Sequence, residues 1–396
     1  MHVLISAVSS ARKPSGICRH AANLATLLSS APNISQVTLL VGEWQLFYFR
    51  DAFGLRDGTL RIIPVGVANR PLDRNWWYFF QLPEIARKYG ADLLHLSFPA
   101  PIRRSGLNTP VVLSLHDLYP YDACRNFGYH RVLFNRAFLQ QCLRSSDAVV
   151  CSSDFTLRRL RQLAPGIASR KAIRIYQQVA LNPANETAPV LEELRTQPFL
   201  LSVAQHRSNK NLDLLLVAFA AIRHQSRSSK LRLVIVGAEG PETSKLHALT
   251  RQLRLEDHVS FLSNLTDFEL CWLYRRCELM VAPSSVEGFC IPVIEALGCG
   301  SRVLCSDIPV LREIGGSSCH YVSLKGKQPV SALTQAMEET LRHPTPKPQS
   351  SNRFSAREIS RQYDDLYSSL LSNGSIGALS PQFPSVEAVH YDRYAS

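Results

Sequence analysis

The chain has 396 residues, of which 45% are hydrophobic and 19% charged, and its formal net charge is +12 at pH 7. This length and apolar content suit two globular domains and exclude wholesale disorder, and no apolar run is long enough to predict a membrane-spanning helix. The basic residues are not interleaved with aromatic ones and match no helix-turn-helix, RRM or zinc-finger pattern, so nucleic acid is not a predicted partner.

The first half of the chain alternates short apolar runs with helix-like segments. Strand runs with little internal alternation are typical of parallel strands buried on both faces. Residues 1–180 are therefore predicted to form one doubly wound, Rossmann-like α/β domain. The predicted strands are 2–8, 36–42, 60–66, 92–97, 110–117 and 147–153, and the predicted helices are 18–30, 75–89, 130–144 and 154–163.

The second half repeats this pattern. Residues 199–354 are predicted to form a second domain of the same class, so that two doubly wound domains face a cleft. Its strands are expected at 199–205, 231–237, 259–263, 279–284 and 302–307, and its helices at 209–225, 241–253, 266–276 and 292–298.

Three further segments complete the organisation. Residues 181–198 are rich in Pro, Asn and Glu and predict a linker between the domains. Residues 355–372 predict an amphipathic helix that packs back on the N-terminal domain, and 373–396 predict a loosely ordered tail. Ten cysteines are scattered without a C-x-x-C pair, which is typical of a reducing compartment and predicts a cytoplasmic protein.

Two surface segments leave alternatives open. Arg158, Arg159 and Arg161 flank leucines at helical spacing, which favours an ordinary solvated helix face over contact with an anionic surface. The aromatic run 76–80 favours a largely buried helix, and the alternative is contact with lipid headgroups.

Candidate ligand-binding residues follow predicted strands, because ligands of open parallel sheets bind beyond the carboxyl ends of the strands. Arg207 and Lys210 fall at the turn after strand 199–205, where cations beside helix N–H groups suit a diphosphate. Gly237 ends the next strand and permits a close backbone approach, although a tight turn would explain it too. His116 ends the fifth strand beside Asp117; a hydrogen-bonded core histidine is the alternative to a functional one.

The stretch "VEGFCIPVIEALGCGSRVLCSD" (286–307) places Glu287 and Glu295 at the ends of an apolar segment. A helix is predicted from Pro292, which puts Glu295 in its first turn and Glu287 in the preceding loop. With no His or Asp nearby, the two acids fit neither a glycosidase pair nor a metal cage, and we expect them to accept hydrogen bonds from hydroxyl groups. An anion cradle of consecutive backbone N–H groups is predicted at Gly288, Phe289, Cys290 and Ile291.

The pattern E-x7-E, followed by "ALGCGSRVLCSDIPVLREIGG", resembles the signature of the family-four retaining glycosyltransferases of the GT-B fold. The resemblance extends from residue 1 to about 370. Other segments that agree in order are "SGICRHAANL" (15–24), "GADLLHLS" (90–97), "LSLHDLYP" (113–120), "KNL" (210–212) and "RFSAREISRQYDDLY" (353–367).

The resemblance implies a role for each candidate residue. Glu287 would accept hydrogen bonds from the donor sugar, and Glu295 from the ribose of the nucleotide. Lys210 and Arg207 would hold the donor diphosphate, while His116 would touch the transferred sugar or the acceptor. Donor binding would also involve Gly16, Gly237 and the cradle at 288–291, and the acceptor side would include Asp117 and Tyr119.

The resemblance also implies a reaction. A hexose, with mannose favoured, would move with retention from a nucleoside diphosphate sugar to a glycan or lipid-linked acceptor in surface polysaccharide synthesis. The leaving diphosphate would take the acceptor proton in a front-side attack, and no metal or other cofactor is expected, in keeping with the lack of a D-x-D motif. A peripheral contact with an anionic membrane is a further expectation.

Two alternatives stand beside this reading. A catalytically silent sugar-nucleotide-binding or scaffold protein could keep the same fold. An NAD-dependent oxidoreductase is disfavoured, because the first strand is followed by "SAVSSARKPSG" rather than by G-x-G-x-x-G.

Overall fold

The computed structural model describes residues 1–55, 58–118, 121, 129–179, 191–225, 230–342, 352–373 and 376. These residues form two sheets, of seven and six strands, in which every strand pairing is parallel. The predicted class of two doubly wound α/β domains is therefore confirmed.

The N-terminal domain contains the seven-stranded sheet. Its strands are β1 (His2–Ser6), β2 (Gln36–Gly42), β3 (Leu60–Val65), β4 (Leu93–Leu96), β5 (Val111–Leu115), β6 (Ala148–Cys151) and β7 (Ala172–Arg174). They are ordered β3-β2-β1-β4-β5-β6-β7. Its helices are α1 (Gly16–Ser29), α2 (Leu46–Arg50), α3 (Pro71–Trp76), α4 (Leu82–Lys88), α5 (Tyr129–Ser145), α6 (Asp154–Leu163) and α7 (Pro165–Lys171), and a π-helical turn, Trp77–Gln81, joins α3 to α4.

The C-terminal domain contains the six-stranded sheet. Its strands are β8 (Phe199–Val203), β9 (Arg232–Val236), β10 (Val259–Leu262), β11 (Leu279–Ala282), β12 (Val303–Ser306) and β13 (His320–Val322). They are ordered β10-β9-β8-β11-β12-β13, so the strand order reverses between β8 and β11. Its helices are α8 (Leu212–Gln225), α9 (Thr243–Gln252), α10 (Asp267–Arg276), α11 (Ile291–Gly298), α12 (Pro309–Gly315) and α13 (Pro329–Arg342).

The last helix, α14 (Ala356–Asn373), returns to the N-terminal domain. The hydroxyl of Tyr367 and Nδ1 of His95 are 2.6 Å apart, and Asn33 Nδ2 donates to Asp364 Oδ2 at 2.6 Å. The chain thus crosses twice between the domains. Residues 181–190 of the predicted linker and nearly all of the predicted tail lie outside the described residues.

Both faces of the first sheet are buried, because successive side chains of a strand point to opposite faces. On β1, Val3 and Ile5 belong to a core cluster that includes α1 and α14, whereas Leu4 belongs to a second cluster that includes Trp77 on the opposite face. This burial on both sides explains the uninterrupted apolar run of the strand.

The structure adds elements that the sequence patterns did not predict. The edge strands β7 and β13 have three residues each and are only partly buried, so they carry little apolar signal. Helices α2, α7, α12 and α13 were also not expected. No helix among the described residues has the length and apolar content needed to cross a bilayer.

Candidate active site

The loops that follow the neighbouring strands β8 and β11 form the centre of the candidate site. Asn211 has a left-handed backbone conformation (φ 49°), which Asn tolerates better than most residues. The side-chain amides of Asn211 and Asn209 donate to backbone carbonyls of the β11 loop at 2.8 and 3.1 Å. These bonds hold the two loops together and bring Lys210 Nζ to 2.5 Å from Glu287 Oε1.

The Lys210–Glu287 ion pair is largely removed from solvent, with side-chain exposures of 19% and 9%. Burial by itself would lower the pKa of Lys210, but the nearby carboxylate of Glu287 more than compensates, and the net effect is a raised pKa. The lysine is therefore held as a cation at the point where the strand order of the second sheet reverses. Such switch points are where open α/β sheets bind ligands.

Gly288 forms a direct contact between the two domains. A Cβ atom at this position would lie 2.0 Å from the carbonyl oxygen of His116, so only glycine fits. The Gly288 carbonyl accepts a hydrogen bond from Ser153 Oγ at 2.9 Å, with Ser152 and Thr156 hydroxyls at 3.4 and 3.5 Å. The α-carbon of Gly288 is thus packed against the N-terminal domain, and the use of its backbone N–H in an anion cradle stays a prediction.

The next residues of the predicted cradle show different environments. Phe289 is buried, with ring centroids 6.1 Å from Tyr176 and 6.0 Å from Phe354, and Ile291 begins α11. Cys290 adopts a left-handed conformation (φ 68°) that is unfavourable for a residue with a Cβ atom. Within the described residues, the backbone N–H groups of 288–290 have no protein acceptor, so they remain candidates for binding an anion.

Glu295 is the fifth residue of α11 and lies in its second turn, so its predicted place in the first turn was wrong. The reason is that the helix begins at Ile291, one residue before the expected Pro292. Tyr274 Oη donates to Glu295 Oε2 at 2.9 Å, and the glutamate is 5% exposed. Burial raises the pKa of Glu295, although Arg19 and the Tyr274 hydrogen bond oppose this effect.

Arg19 and Asp267 form an ion pair between the two domains, close to Glu295. Arg19, in the first helix of the N-terminal domain, lies 2.5 Å from Asp267, the first residue of α10. The guanidinium also lies 4.4 Å from the centroid of the Phe53 ring, and the two charged side chains are only 11% and 15% exposed. The pair therefore lies beside the buried Glu295 carboxylate, on the side of the N-terminal domain.

His116 follows β5, as expected, but both of its ring nitrogens are bonded to protein. Nε2 donates to the carbonyl of Ser97 at 2.7 Å, and Nδ1 accepts from Gln177 Nε2 at 2.9 Å. Its ring packs edge-on against His20 at 4.5 Å between centroids, and burial lowers the pKa of His116. Both nitrogens are thus engaged in this conformation, as in the hydrogen-bonded histidine that the sequence left as the alternative, and a contact of His116 with the sugar or the acceptor stays a prediction.

The remaining predicted residues differ in their exposure and packing. Gly16 begins α1, is exposed and has open space where a Cβ would lie. Arg207 is exposed, and no ion pair of its side chain occurs within the described residues. The close approach predicted at Gly237 is made by the chain itself, because a Cβ there would meet the Ala204 carbonyl at 1.9 Å. Gly237 is thus needed for packing inside the domain.

Asp117 lies in a small crevice between the domains. It lines this crevice together with Leu118, Phe155, Thr156, Arg159, Val286 and Glu287. Tyr119, the other residue predicted on the acceptor side, lies outside the described residues.

Sequence reasoning missed several residues that shape the site. Arg19 stands in the quoted segment after the first strand, so its position was a usable signal. Asp267 and Tyr274 gave no such signal, because their partners are distant along the chain. Glu313 was not predicted either. Its carboxylate accepts hydrogen bonds from the N-terminal domain across the interface.

Comparison with known proteins identifies the families that the two domains match. Residues 14–180 match the family model described as Glycosyltransferase Family 4, and residues 185–357 match Glycosyl transferases group 1. O-antigen chain mannosyltransferase B of Escherichia coli is 28% identical over 213 residues, which cover 52% of this chain and 55% of that protein. The chain thus spans about half the length of the curated relatives it matches.

Solved structures extend the similarity to the whole fold. Sucrose-phosphate synthase from Thermosynechococcus elongatus superposes with a TM-score of 0.69 at 19% identity, covering 93% of this chain and 99% of that one. Anabaena HepE in complex with UDP-glucose has a TM-score of 0.65 at 18% identity, covering 93% and 100%. At such identities the likeness concerns the fold alone. Because the two family models together account for both domains, the chain belongs to the family-four glycosyltransferases of the GT-B fold.

Proposed function

We propose that this protein is a retaining glycosyltransferase that moves a hexose from a nucleoside diphosphate sugar to a hydroxyl of a glycan or lipid-linked acceptor. The observation that carries the proposal is the buried Lys210–Glu287 pair at the switch point of the second sheet. It places a cation suited to a diphosphate beside a carboxylate suited to sugar hydroxyls, as a sugar nucleotide requires.

The donor is proposed to be a mannose nucleotide used in surface polysaccharide synthesis. Support for the sugar comes from the name of the Escherichia coli relative, a mannosyltransferase that acts on an O-antigen chain. Support for a nucleotide sugar of some kind comes from the Anabaena structure, which was solved with UDP-glucose. The experiment below therefore compares several nucleotide sugars.

In the proposed reaction the acceptor oxygen forms a bond to the anomeric carbon while the bond from that carbon to the diphosphate oxygen breaks. The acceptor proton passes to the leaving diphosphate, so charge and atoms balance. Lys210, with Arg207, stabilises the charge that grows on the leaving group, and Glu287 orients the sugar. We propose that no metal is required, because Lys210 and the free N–H groups of 288–290 supply the positive potential.

The alternative is a catalytically silent sugar-nucleotide-binding protein. The observation that favours it is that both ring nitrogens of His116 are hydrogen-bonded to protein. The first experiment is a thermal-shift panel of GDP-mannose, UDP-glucose, ADP-glucose and NAD, since a ligand that binds only the folded state must raise the melting temperature. The second incubates the protein with the best donor and a lipid-linked acceptor, with and without a chelator, and determines the anomeric configuration of the product.

The proposal predicts a shift with a sugar nucleotide and a product with the anomeric configuration of the donor, unchanged by the chelator. A shift without any transfer or donor hydrolysis would favour the silent binder. A shift with NAD alone, or an inverted product, would refute the proposed reaction.

A further inference from the structure

Two cysteine thiols touch each other where α10 and α11 meet. Sγ of Cys271, on α10, lies 3.4 Å from Sγ of Cys299, the residue that follows α11. The two residues are 28 positions apart in the chain, so the packing of the two helices makes the contact. Both cysteines are free thiols in the structure. We call this pair the Cys271–Cys299 dithiol.

The dithiol lies one helical turn from residues of the candidate nucleotide site. On α10, Cys271 follows Asp267 by four residues and precedes Tyr274 by three, so the three side chains share one face of the helix. Cys299 follows Glu295 by four residues, and its N–H donates to the Glu295 carbonyl at 2.9 Å. The two helices are therefore joined side by side, by the Tyr274–Glu295 hydrogen bond and by the sulfur contact.

The two thiols differ in their access to solvent. Cys271 is 3% exposed, whereas Cys299 is only partly buried and stands between the exposed residues Gly298 and Gly300. A small oxidant can therefore reach Cys299 first, and Cys271 lies behind it as the second thiol.

A metal site does not explain this pair. Among the residues that the structure describes, no group of three or more His, Cys, Asp or Glu side chains could hold a metal ion. Two thiols in contact, one of them accessible, are instead the arrangement in which a sulfenic acid on one cysteine condenses with the other to a disulfide.

We propose that Cys271 and Cys299 form a reversible disulfide on reaction with hydrogen peroxide, and that this disulfide weakens nucleotide binding. The Cys299 sulfur attacks one peroxide oxygen, the O–O bond breaks, and water leaves a sulfenic acid behind. The Cys271 sulfur then attacks the Cys299 sulfur, the S–O bond breaks, and a second water leaves. The two electrons lost by the sulfur atoms reduce the peroxide, and both thiol protons end in water. A thiol reductant reverses the bond by exchange.

The reduced form should persist when peroxide is scarce. Burial, together with the hydrogen bond to the Cys271 thiol, raises the pKa of the Cys299 thiol, and the guanidinium of Arg275 only partly opposes this effect. The thiolate is the reactive form of cysteine, so the reaction with peroxide is slow at neutral pH. Disulfide formation therefore requires a sustained supply of oxidant.

The disulfide would act on the nucleotide site through α11. A disulfide bond is shorter than the present sulfur contact, so Cys299 must move toward α10. The hydrogen bond in the last turn of α11 passes this movement to Glu295, whose carboxylate is oriented by Tyr274. This step rests on the proposed function, in which Glu295 binds the ribose. We expect the affinity for a nucleoside diphosphate to fall on the order of tenfold, as when a hydrogen bond to a charged group is lost.

The first test treats the full chain with hydrogen peroxide and maps disulfides by mass spectrometry of non-reduced tryptic peptides. Trypsin releases Cys271 in peptide 255–275 and Cys299 in peptide 277–302, so the proposed bond joins two peptides. We expect this joined species in the wild type, and we expect dithiothreitol to remove it. It should be absent from Cys271→Ser and from Cys299→Ser.

Two variants serve as matched controls. Cys277→Ser changes another partly buried cysteine of peptide 277–302, whose thiol donates to the Tyr274 carbonyl at 3.2 Å. Cys305→Ser changes one member of a second thiol pair, Cys305 and Cys319, in which both residues are buried. Both variants should form the joined species as the wild type does, and circular dichroism verifies that every variant is folded.

The second test is calorimetry with GDP and with UDP on reduced and on peroxide-treated protein. The treated wild type should bind its preferred nucleotide on the order of tenfold more weakly, dithiothreitol should restore the affinity, and Cys299→Ser should bind equally before and after treatment. The proposal is wrong if no joined species forms, if the species persists in Cys299→Ser, or if it forms without a loss of affinity. If neither nucleotide binds the reduced protein, the proposed function fails, while the peptide map still decides whether the disulfide forms.

Discussion

The carboxylate of Glu313 caps a helix that belongs to the other domain. Its Oε1 accepts a hydrogen bond from the backbone N–H of Asp154 at 2.6 Å, and its Oε2 accepts from the N–H of Phe155 at 2.9 Å. Asp154 and Phe155 are the first residues of α6, where backbone N–H groups lack partners within the helix and favour an anion. The interdomain contact near Gly288 is thus reinforced by a charge-assisted cap.

Removing this cap should loosen the contact between the domains. Glu313→Ala leaves two partly buried N–H groups without this acceptor and should lower the free energy of unfolding by about 1–3 kcal/mol. Glu313→Gln keeps one acceptor oxygen and should lose less. Urea denaturation measures both. Equal losses in the two variants would show that the hydrogen bonds to α6 are not the cause.

Lys210→Met should cost both activity and stability. The methionine leaves the Glu287 carboxylate largely buried without its partner, so we expect the unfolding free energy to fall by about 3 kcal/mol. Turnover should fall on the order of a hundredfold, because leaving-group charge is no longer stabilised. Denaturation and donor turnover are measured on the same preparations.

Two further variants separate these effects. Lys210→Met/Glu287→Gln should recover most of the stability but none of the turnover, because the unpaired charge is gone and the catalytic cation is still missing. Lys245→Met removes a lysine that is 79% exposed and lies 3.0 Å from Glu242, and it should change stability by less than about 1 kcal/mol. Normal turnover in Lys210→Met would remove this residue from the mechanism.

Substitutions of Glu295 and Glu287 should have different effects on nucleotide binding and turnover. Glu295→Ala should weaken binding of the bare nucleoside diphosphate by about 1.5–3 kcal/mol, the value of a hydrogen bond to a charged group. Glu287→Gln should leave bare nucleotide binding intact and lower turnover, because it acts on the sugar. Tyr274→Phe should weaken nucleotide binding less than Glu295→Ala does, since it removes only the hydrogen bond that orients the carboxylate. Calorimetry measures the affinity of each variant for the bare nucleotide and for the intact donor. An equal loss of affinity for the bare nucleotide in both glutamate variants would contradict the division of roles.

Stability should fall in mild acid because of a buried histidine. His95 bonds to Tyr367 and Ser114, and burial, with a smaller effect of His116, lowers the pKa of His95 to about 3. The unfolded chain binds this proton near pH 6.5 and the folded chain does not. The contribution of neutral His95 to the free energy of unfolding is therefore fully present above about pH 6.5. It falls by about 1.4 kcal/mol for each pH unit below that value.

Urea denaturation between about pH 5 and 8 measures this slope. His95→Gln should make the slope shallower by about 1.4 kcal/mol per pH unit, and the buried His20 and His116, whose pKa values are also lowered by burial, should keep part of it. His224→Gln, at an exposed position on α8, should leave the slope unchanged. A slope that is the same in His95→Gln and in the wild type would assign the acid sensitivity to other groups.

Local patterns in the sequence were sufficient for the class of fold. Apolar runs such as "HVLIS" and "RLVIV" are buried on both faces in the structure, and a parallel sheet leaves this signature in each strand separately. The spacing of Glu287 and Glu295 is local in the same sense, and it pointed to the family whose models match the chain. These features depend only on neighbours along the chain.

The tertiary structure decided which partners these residues have. Lys210 and Glu287 are 77 residues apart, and Arg19 and Asp267 are 248 apart, so no local pattern could pair them. Gly288 was predicted to contribute a backbone N–H to an anion cradle, and no local pattern showed that its α-carbon packs against the His116 carbonyl, because the domains meet there. Trp76 and Trp77 are adjacent in sequence, yet one is 54% exposed and the other 1%, since successive residues of a helical segment point in different directions and only the folded domain determines which side is covered. The sequence alone determined the class of fold, most of the central strands and the family, whereas the packing of the domains determined the ion pairs, the buried contacts and the exposed surface.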